Sequence, residues 1–264
     1  MSSNMMYTAV SGLDTFKEAM SVVSNNIANS NTTSYKSQTV DFGNLVSGYL
    51  PTVYPNDTAD GSGTAILNTS SDQTTGSEMT TNTWSDLMIQ GNGFFEVQNT
   101  NNSADYYTRD GSFEVNATGY LTDMNGNDVL DTSGKTIQIE ADPTNPVYAN
   151  YSVGQFGDVV GTTSTGTQAT LGQIGVTTFS NPNGMISVGN NQLLTGPNSG
   201  IGVVQAAGSG AAGSIISGAL EASNVDLTKQ MVDMITYQAD FQANSKSIAT
   251  GNTLLQTVVN LIAG

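Results

Sequence analysis

The most regular hydrophobic pattern in this chain runs from residue 227 to residue 262. Apolar residues recur there alternately four and three positions apart, which is the heptad spacing of helices that wind around one another. The positions on this seam are Leu227, Met231, Met234, Gln238, Phe241, Ser245, Ile248, Asn252, Leu255, Val259 and Ile262. The three polar ones recur every seven residues and are expected to fix the register of the partners. The pattern predicts one helix, roughly 54 Å long, that needs helical partners.

A second heptad seam lies near the start of the chain. Its positions are Met6, Ala9, Leu13, Phe16, Met20, Val23 and Ile27. The seam stops at residues 29–34, a run of Asn, Ser and Thr whose side chains compete with a helix for backbone hydrogen bonds. We therefore predict a helical coiled-coil domain formed by residues 1–34 and 219–264, in which the two terminal helices pair. The alternative is that each helix covers a globular core.

Between the helices, residues 35–84 show little periodicity. Tyr35, Val40, Phe42, Leu45, Val46 and Leu50 suggest an extended segment with hydrophobic anchors, and the residues that follow are mostly Thr, Ser, Gly, Asn and Asp. We interpret 35–84 as an extended linker or long loop. Such a loop is usually functional or disordered when a domain stands alone, and the alternative is that a neighbouring subunit orders it.

Residues 85–205 have the pattern of an antiparallel β domain. Short apolar runs such as 86–89, 94–97, 106–108 and 112–115 are separated by Asn-Gly and Asp-Gly turns, the strongest hairpin signal in a sequence. No helical period alternates with them, which argues against a parallel α/β sheet. Residues 206–218 are mainly Gly, Ala and Ser and are expected to be a linker. The predicted fold class is α+β.

Composition excludes several classes of function. The chain has 264 residues, with 22 Asp and Glu against 6 Lys and Arg, a net charge of −16. Six scattered cations do not provide a nucleic-acid surface or attraction to an anionic membrane. Cys and His are both absent, so thiolate metal sites and the commonest general base are missing. We predict no enzyme activity, no cofactor and no metal, and we expect the carboxylates at the surface.

Two stretches imitate ligand-binding motifs. Residues 208–213 match a dinucleotide fingerprint in letters, but no strand–turn–helix unit surrounds them. Asp123, Asn125, Asn127 and Asp131 resemble a calcium loop that lacks its final glutamate, so a polar hairpin turn is the better interpretation. Neither stretch yields a catalytic, cofactor-binding or metal-binding residue.

The segment NNIANSNTTSYK, residues 25–36, resembles the amino-terminal signature of bacterial flagellar rod and hook proteins. Residues 91–95, 107–113 and 179–184 resemble the body of the same family, and 217–227 resembles its carboxy-terminal signature. The positions that carry the terminal signatures are Asn25, Asn26, Ala28, Asn29, Asn31, Thr32, Tyr35, Lys36, Ser223, Asn224 and Val225. Ser34 stands where the family usually has glycine, and Ala239 stands where an arginine usually follows glutamine.

This resemblance implies a structural subunit of the flagellum. The terminal helices would pair into an inner tubular layer, with the β domain outside, and identical subunits would be the main partners. Further partners would be neighbouring rod and hook–filament junction proteins, and the hook cap and export apparatus during assembly. The start of the chain, MSSNMMYTAV, lacks a basic region before a hydrophobic core, so we expect export without a cleaved signal peptide and no membrane insertion.

Within this family the sequence looks most like a short hook protein. TAVSGL at 8–13 and YQADFQANSKS at 237–247 favour the extracellular hook, a bendable tube that transmits motor torque to the filament. The alternative is a rod subunit of the basal-body drive shaft. Because a hook bends and a rod does not, residues 46–78 are expected to distinguish the two. A hypothesis from another class is a secreted β-rich adhesin with a helical stalk.

Overall fold

The computed structural model describes residues 2–47, 60–100, 104–140 and 148–263. It contains two long helices, α1 (Ser2–Ala28) and α2 (Leu227–Ala263). The strands are β1 (Gln38–Ser47), β2 (Asp60–Ser71), β3 (Glu78–Thr80), β4 (Leu87–Gln90), β5 (Phe94–Asn99), β6 (Asp105–Thr108), β7 (Glu114–Val115), β8 (Leu121–Thr122), β9 (Asn127–Val129), β10 (Asn150–Val153), β11 (Asp158–Thr162), β12 (Gln168–Gln173), β13 (Gly175–Thr178), β14 (Ile186–Gly189), β15 (Gln192–Leu194), β16 (Val203–Ala206), β17 (Ser214–Ser217) and β18 (Ala219–Glu221).

The chain divides into two compact units. One, which we call the helical unit, consists of Met1–Ser30, Ser37–Asp72 and Val225–Gly264. The other, the β unit, consists of Asn31–Lys36 and Gln73–Asn224. The α+β fold class and the mainly antiparallel β structure are therefore confirmed. The boundaries differ from the predicted ones, because residues 37–72 join the helices rather than linking them to the sheet.

In the helical unit α1 and α2 pack against each other in an antiparallel pair. Gly12 lies against Asn244, and a Cβ atom at Gly12 would come within 2.9 Å of the Asn244 amide nitrogen. About two turns further along the pair, a Cβ at Gly251 would lie 3.0 Å from Met5. Glycine lowers helix preference by about 1 kcal/mol relative to alanine, and its place here is explained by the close approach of the two helices.

Strands β1 and β2 form an antiparallel hairpin that packs against α1. The Thr15 hydroxyl donates to the carbonyl of Thr64 at 2.9 Å, and the Thr64 amide donates to the Ser11 hydroxyl at 3.3 Å. Phe42 contacts Phe16 with ring centroids 5.9 Å apart. The interpretation of 35–84 as an extended linker was therefore wrong for this part of it.

The hairpin was missed because its pattern is weak. Register shifts at 41–42 and 45–46 interrupt the alternation of β1. The contact of β2 with α1 uses Gly63 and Thr64, which carry no hydrophobic signal. Leu50 and residues 51–59, which belonged to the same predicted linker, lie outside the described residues.

The β unit is built from antiparallel strands around one main core. Over its described part, the largest sheet has the order β14–β15–β6–β5–β9–β8–β7, with β13 pairing to both β5 and β16. Strand β17 pairs with β4, and β18 pairs with β3. The most deeply buried core side chains are Leu87, Ile89, Phe95, Val97, Phe113, Leu121, Val129, Ile137, Ile139, Val159, Ile174 and Val176.

The predicted linker at 206–218 is also part of this unit. β17 occupies 214–217, and Ile215, Ala207 and Ala212 belong to the core. Small residues pack there because the strands approach closely, so a composition typical of a linker was misleading. Residues 208–213 form a turn between two strands, with the Gly208 amide donating to the Gly213 carbonyl at 2.9 Å. In the described chain, no helix has the length and apolarity needed to cross a membrane.

Candidate assembly site and its polar anchors

The predicted seam of α2 is only partly turned toward α1. Met234, Phe241 and Ile248 are half-buried. The remaining seam positions are exposed: Leu227, Met231, Gln238, Ser245, Asn252, Leu255, Val259 and Ile262. Between the half-buried positions, the more buried face of α2 carries Gln230, Tyr237, Asn244 and Gly251. Those four each precede an exposed seam residue by one position. The role of the exposed seam positions in assembly stays a prediction.

The predicted seam of α1 is more buried. Ala9 and Val23 are buried, and Met6, Leu13, Phe16, Met20 and Ile27 are half-buried. The buried face also includes Gly12, Thr15, Ala19 and Asn26. The face is wide because α1 packs against α2 on one side and against the β1–β2 hairpin on the other.

The last part of α2 carries a concentrated apolar surface. Six large apolar side chains are exposed after Gly251: Leu254, Leu255, Val258, Val259, Leu261 and Ile262. No charged residue follows Lys246 in the sequence. Ile262 is 81% exposed and Leu261 is 77% exposed. Contiguous apolar surface of this kind is uncommon on monomeric proteins and marks interaction sites. We refer to residues 252–263 as the apolar end of α2.

A buried amide group anchors the helical unit. The Asn26 side chain accepts a hydrogen bond from the Gln38 amide at 2.9 Å and donates to the Gln38 carbonyl at 2.8 Å. Its amide nitrogen also donates to the side-chain oxygen of Gln230 at 3.0 Å. Asn26 is fully buried and Gln230 is buried. One asparagine thus joins α1, β1 and α2, which explains its place in the amino-terminal signature.

The neighbouring signature residues form the end of α1. Asn29 donates its side-chain amide to the Asn25 carbonyl at 3.0 Å and to the Asn25 side chain at 2.9 Å. Ala28 is the last residue of the helix and is exposed. These bonds satisfy carbonyl and side-chain groups where the helix stops.

A buried carboxylate anchors the β unit. Glu221 is fully buried, and its Oε1 accepts hydrogen bonds from the Lys36 ammonium and from the Gly76 amide at 2.7 Å. Its Oε2 lies 3.6 Å from Nη1 of Arg109, which is an ion-pair distance too long for a hydrogen bond. Arg109 is itself buried; its Nη2 donates to the Gly91 carbonyl at 2.8 Å, and its guanidinium lies over the Phe94 ring.

The turn before Lys36 is held by the same cluster. Ser34 has a backbone φ of +55°, the left-handed region that favours glycine. The serine therefore keeps the conformation expected of the usual glycine. Its hydroxyl donates to the Arg109 carbonyl at 2.8 Å, and its amide donates to the Glu221 carbonyl at 2.8 Å. These two bonds offset the conformational cost of a side chain at this position.

The two terminal signatures meet in the β unit. The Asn224 amide donates to the Tyr35 carbonyl at 3.3 Å, and the Asn224 side chain donates to Thr74 at 3.2 Å. The turn begins with a bond from the Tyr35 amide to the Thr32 carbonyl. Asn31 is exposed at this turn, and Ser223 and Val225 are half-buried beside Asn224. The segments that lead from α1 and toward α2 are thus held side by side.

Sequence reasoning missed the Glu221 cluster. We expected carboxylates at the surface, and for Glu221 this expectation was wrong. A signal was available: the chain has only six Lys and Arg, and two of them, Lys36 and Arg109, lie within signature motifs. In a strongly acidic chain, a Lys or Arg within such a motif indicates a specific acidic partner. The acidic residues alone are enough to keep the surface solvated, so these cations are not needed for that purpose.

Three residues of the calcium-like cluster form a hairpin turn, the interpretation that the missing glutamate favoured. Asp131 lies in the next turn, where it accepts hydrogen bonds from the amides of Ser133 and Lys135 at 2.7 and 2.9 Å. The Asp123 carboxylate accepts bonds from the amides of Asn125 and Asn127 at 2.9 and 2.8 Å, and from the Gln192 side chain at 2.7 Å. The carboxylate is thereby occupied by protein donors. Across the described ranges, no group of three or more acidic side chains is arranged to hold a metal ion.

Three family models match the chain. They are described as "Flagella basal body rod protein" over residues 6–36, "Flagellar hook protein FlgE/F/G D1 domain" over 88–161, and "Flagellar basal body rod FlgEFG protein C-terminal" over 216–261. The first and last matches include the terminal signatures, the whole seam of α1 and the seam of α2 except for Ile262.

Two relatives that match over nearly their whole length carry the same name. The "Flagellar basal-body rod protein FlgG" of Bacillus subtilis is 35% identical, with 97% of this chain and 98% of the relative covered. The protein of the same name from Buchnera aphidicola subsp. Baizongia pistaciae is 30% identical over 95% of this chain and 96% of the relative. The "Flagellar hook protein FlgE" of Salmonella typhimurium is 42% identical, but over only 42% of this chain and 28% of the relative.

Proposed function

Because this chain belongs to the family of flagellar basal-body rod and hook proteins, we propose that it is a subunit of the flagellar rod. Family membership confirms the prediction of a structural protein rather than an enzyme. The rod assignment is supported by one comparison above the others: relatives named as rod proteins match over nearly the whole of both chains, as in Bacillus subtilis.

A hook subunit is the second candidate. It is favoured by the higher identity, 42%, to the Salmonella typhimurium hook protein over 112 residues. That match leaves most of the hook protein's length without a counterpart here, since it covers 28% of it. The sequence-based prediction of a short hook protein rests on two terminal segments, 8–13 and 237–247. The full-length matches to rod proteins favour the rod assignment over the hook assignment.

Polymerisation with identical copies is supported by the surface of the helices. Apolar side chains are exposed at the apolar end of α2 and at the seam positions Met231 and Leu227. Burying them is favourable by about 25 cal/mol per Å² of apolar area. Helices with heptad spacing bury such positions against other helices. In a polymer these partners would be the α1 and α2 helices of neighbouring subunits, forming an inner tube.

The remaining steps of the proposal follow from the same assignment. The chain would be exported without a cleaved signal peptide and would join a basal-body rod next to other rod and hook components. The hook cap, the hook–filament junction proteins and the export apparatus stay predicted partners. Torque would pass along the tube of helices. Buried polar networks specify one arrangement of the elements they join, so the Asn26 anchor would resist shear within the helical unit and the Glu221 anchor within the β unit.

Deletion of the gene separates the two candidates. Basal bodies purified from the deletion strain should carry a truncated rod and no hook, and restoration with the intact gene should return the complete rod. A complete rod that ends without a curved extension would assign the protein to the hook instead.

Purified polymer tests the assembly itself. Electron microscopy of the concentrated chain should show tubes. Monomers or short trimeric stalks at the same concentration would favour a secreted adhesin with a helical stalk.

A further inference from the structure

Beside the Glu221 cluster, the β unit contains a partly open cavity of about 420 Å³. Apolar groups form much of its wall, among them Phe94, Phe179, Pro182 and Val203. Arg109 and Gln73 contribute polar groups to the same wall. A concave, mostly apolar cavity with a few convergent polar groups is the usual form of a binding site.

The polar groups of this wall are incompletely paired. Among the described residues, Nε and Nη1 of the buried Arg109 have no hydrogen-bond partner. A buried donor without an acceptor costs about 1–3 kcal/mol, so such groups need a compensating role.

Two cations, Lys36 and Arg109, approach the carboxylate of Glu221. Lys36 makes the shorter contact with that carboxylate. Burial lowers the pKa of Arg109, and the attraction of Glu221 opposes this only in part. The guanidinium is therefore a buried cation whose contact with Glu221, at 3.6 Å, is longer than that of Lys36, in a chain whose net charge is −16.

We propose that this cavity receives a carboxylate, and that the carboxylate is an acidic side chain of a neighbouring copy of the same chain. Carboxylates match the fork of donors on a guanidinium, and the aromatic wall would accommodate the methylene groups that carry the carboxylate. The assignment to a second copy rests on the proposed polymer, in which every neighbour presents a strongly acidic surface. The contact would bind lateral neighbours through their β units.

A cavity-filling variant tests the proposal without altering the cluster. Val203 lies on β16 at the cavity wall and is half exposed, so Val203→Trp fills the cavity and leaves Lys36, Arg109 and Glu221 unchanged. The matched control is Val188→Trp, at a similarly exposed position of β14. We expect Val203→Trp to raise the critical concentration for polymerisation about tenfold or more, with the control unchanged. Equal effects of both variants would overturn the proposal.

A cross-link identifies the incoming group. Polymers of the Arg109→Lys variant, assembled from a mixture of nitrogen-14 and nitrogen-15 subunits, are treated with a water-soluble carbodiimide, which couples amines to adjacent carboxylates. Mass spectrometry should find mixed-isotope peptides that join position 109 to an Asp or Glu of another subunit. Links within one isotope only, to Glu221, would contradict a neighbour in the cavity.

A free carboxylate is the other source of the same chemistry. Acetate and benzoate are titrated into the unpolymerised full-length chain, with the amide resonances of Asn92 and Gly93 as reporters. Saturable shifts without any mixed-isotope cross-link in the polymer would assign the cavity to a small molecule and overturn the proposal. A chain that forms no polymer at all would instead contradict the proposed function, so the two failures are distinguishable.

Discussion

The side chains of Asn26 and Gln230 form a buried hydrogen bond of 3.0 Å across 204 residues of sequence. Through it, the end of the first helix is joined to the start of the last. Asn26 also binds both backbone groups of Gln38. These bonds fix the orientation of its side chain in the folded helical unit.

Replacement of Asn26 should loosen the helical unit. Asn26→Ala removes three hydrogen bonds and leaves the partly buried amide of Gln38 without this acceptor, which should cost about 2–4 kcal/mol. Hydrogen exchange of α1 in the unpolymerised chain is the measurement, and exchange should accelerate. The control is Asn252→Ala, at an exposed position of α2. Equal exchange in both variants would contradict the anchoring role of Asn26.

Two variants at Ser34 distinguish the cost of backbone strain from the contribution of the side-chain hydrogen bond. Ser34→Gly relieves a left-handed conformation that costs about 1 kcal/mol but loses the bond to the Arg109 carbonyl, worth about 1 kcal/mol, so stability should change little. Ser34→Ala keeps the strain and loses the bond, and should be less stable than wild type by about 1 kcal/mol. Urea denaturation gives both values. An alanine variant as stable as the glycine variant would show that φ at this position is unimportant.

Loss of the buried carboxylate should be the most damaging change in the β unit. Glu221→Ala leaves Lys36 and Arg109 without their counter-ion, and breaking a buried ion pair costs about 3–5 kcal/mol. Lys36→Met should cost less, because Glu221 then retains Arg109 and the Gly76 amide. The free energy of unfolding in urea is the measurement.

The control for this change lies directly opposite in the ladder. Glu78 of β3 pairs with Glu221 of β18 and is exposed, so Glu78→Ala should leave stability unchanged. If the two alanine variants had the same free energy of unfolding, the cluster would contribute nothing beyond an ordinary surface glutamate.

Elements whose contacts use apolar residues could be predicted from the sequence. Elements whose contacts use polar residues or glycine could not. The heptad seams predicted both helices, and the Asn-Gly turn at 125–126 predicted the β8–β9 hairpin. The Asn-Gly at 92–93 and the Asp-Gly at 110–111 do not close hairpins, because β4 pairs with β17 and β6 pairs with β5 and β15. On α2 the pattern missed part of the face toward α1, because that face includes Gln230, Asn244 and Gly251, residues that carry no hydrophobic signal. The β1–β2 hairpin was missed for the same reason.

The candidate site divides in the same way. Asn26 and Lys36 were selected from a motif, but the motif did not show what either residue binds. Their partners, Gln230 and Glu221, lie 204 and 185 residues away respectively. A single polar residue at such a separation produces no periodic signal, so only the folded chain shows which groups meet.

Glu96 should make the β unit less stable as the pH rises. Burial raises the pKa of Glu96 above its usual value, and hydrogen bonds from Thr177 and Tyr107 oppose this in part. The folded state therefore binds the proton more tightly than the unfolded state. This stabilisation is complete below about pH 4.5, the usual value, and is lost as the pH rises through the higher folded pKa.

Glu96→Gln removes this titration. The variant should match or exceed wild-type stability at pH 7 and lose the advantage at pH 4, with a difference below about 1 kcal/mol because the carboxyl keeps some solvent access. Thermal unfolding at both pH values is the measurement, with Glu114→Gln at an exposed position of β7 as the control. If the Glu96→Gln variant were less stable than wild type at pH 7 but not at pH 4, ionised Glu96 would stabilise the folded state, contrary to the prediction.

The apolar end of α2 should control polymerisation without contributing to the folded monomer. Val259→Lys places a charge on an exposed seam position, where burial against a neighbouring helix would require removal of the ammonium from water. Polymer yield in sedimentation should fall strongly, while the free energy of unfolding of the monomer stays within about 0.5 kcal/mol of wild type. Leu255→Pro should have the same effect on polymer, because proline breaks the helix at that turn.

Thr257→Lys supplies the matched control for charge and helix position. It lies on the same exposed part of α2 but off the predicted seam, so it should reduce polymer yield much less than Val259→Lys. Met234→Lys should act on both properties, because Met234 is half-buried in the helical unit. If Val259→Lys polymerised as well as Thr257→Lys, the exposed heptad positions would not be the contacts between subunits. The close pairing of α1 and α2 would then be a feature of the monomer alone.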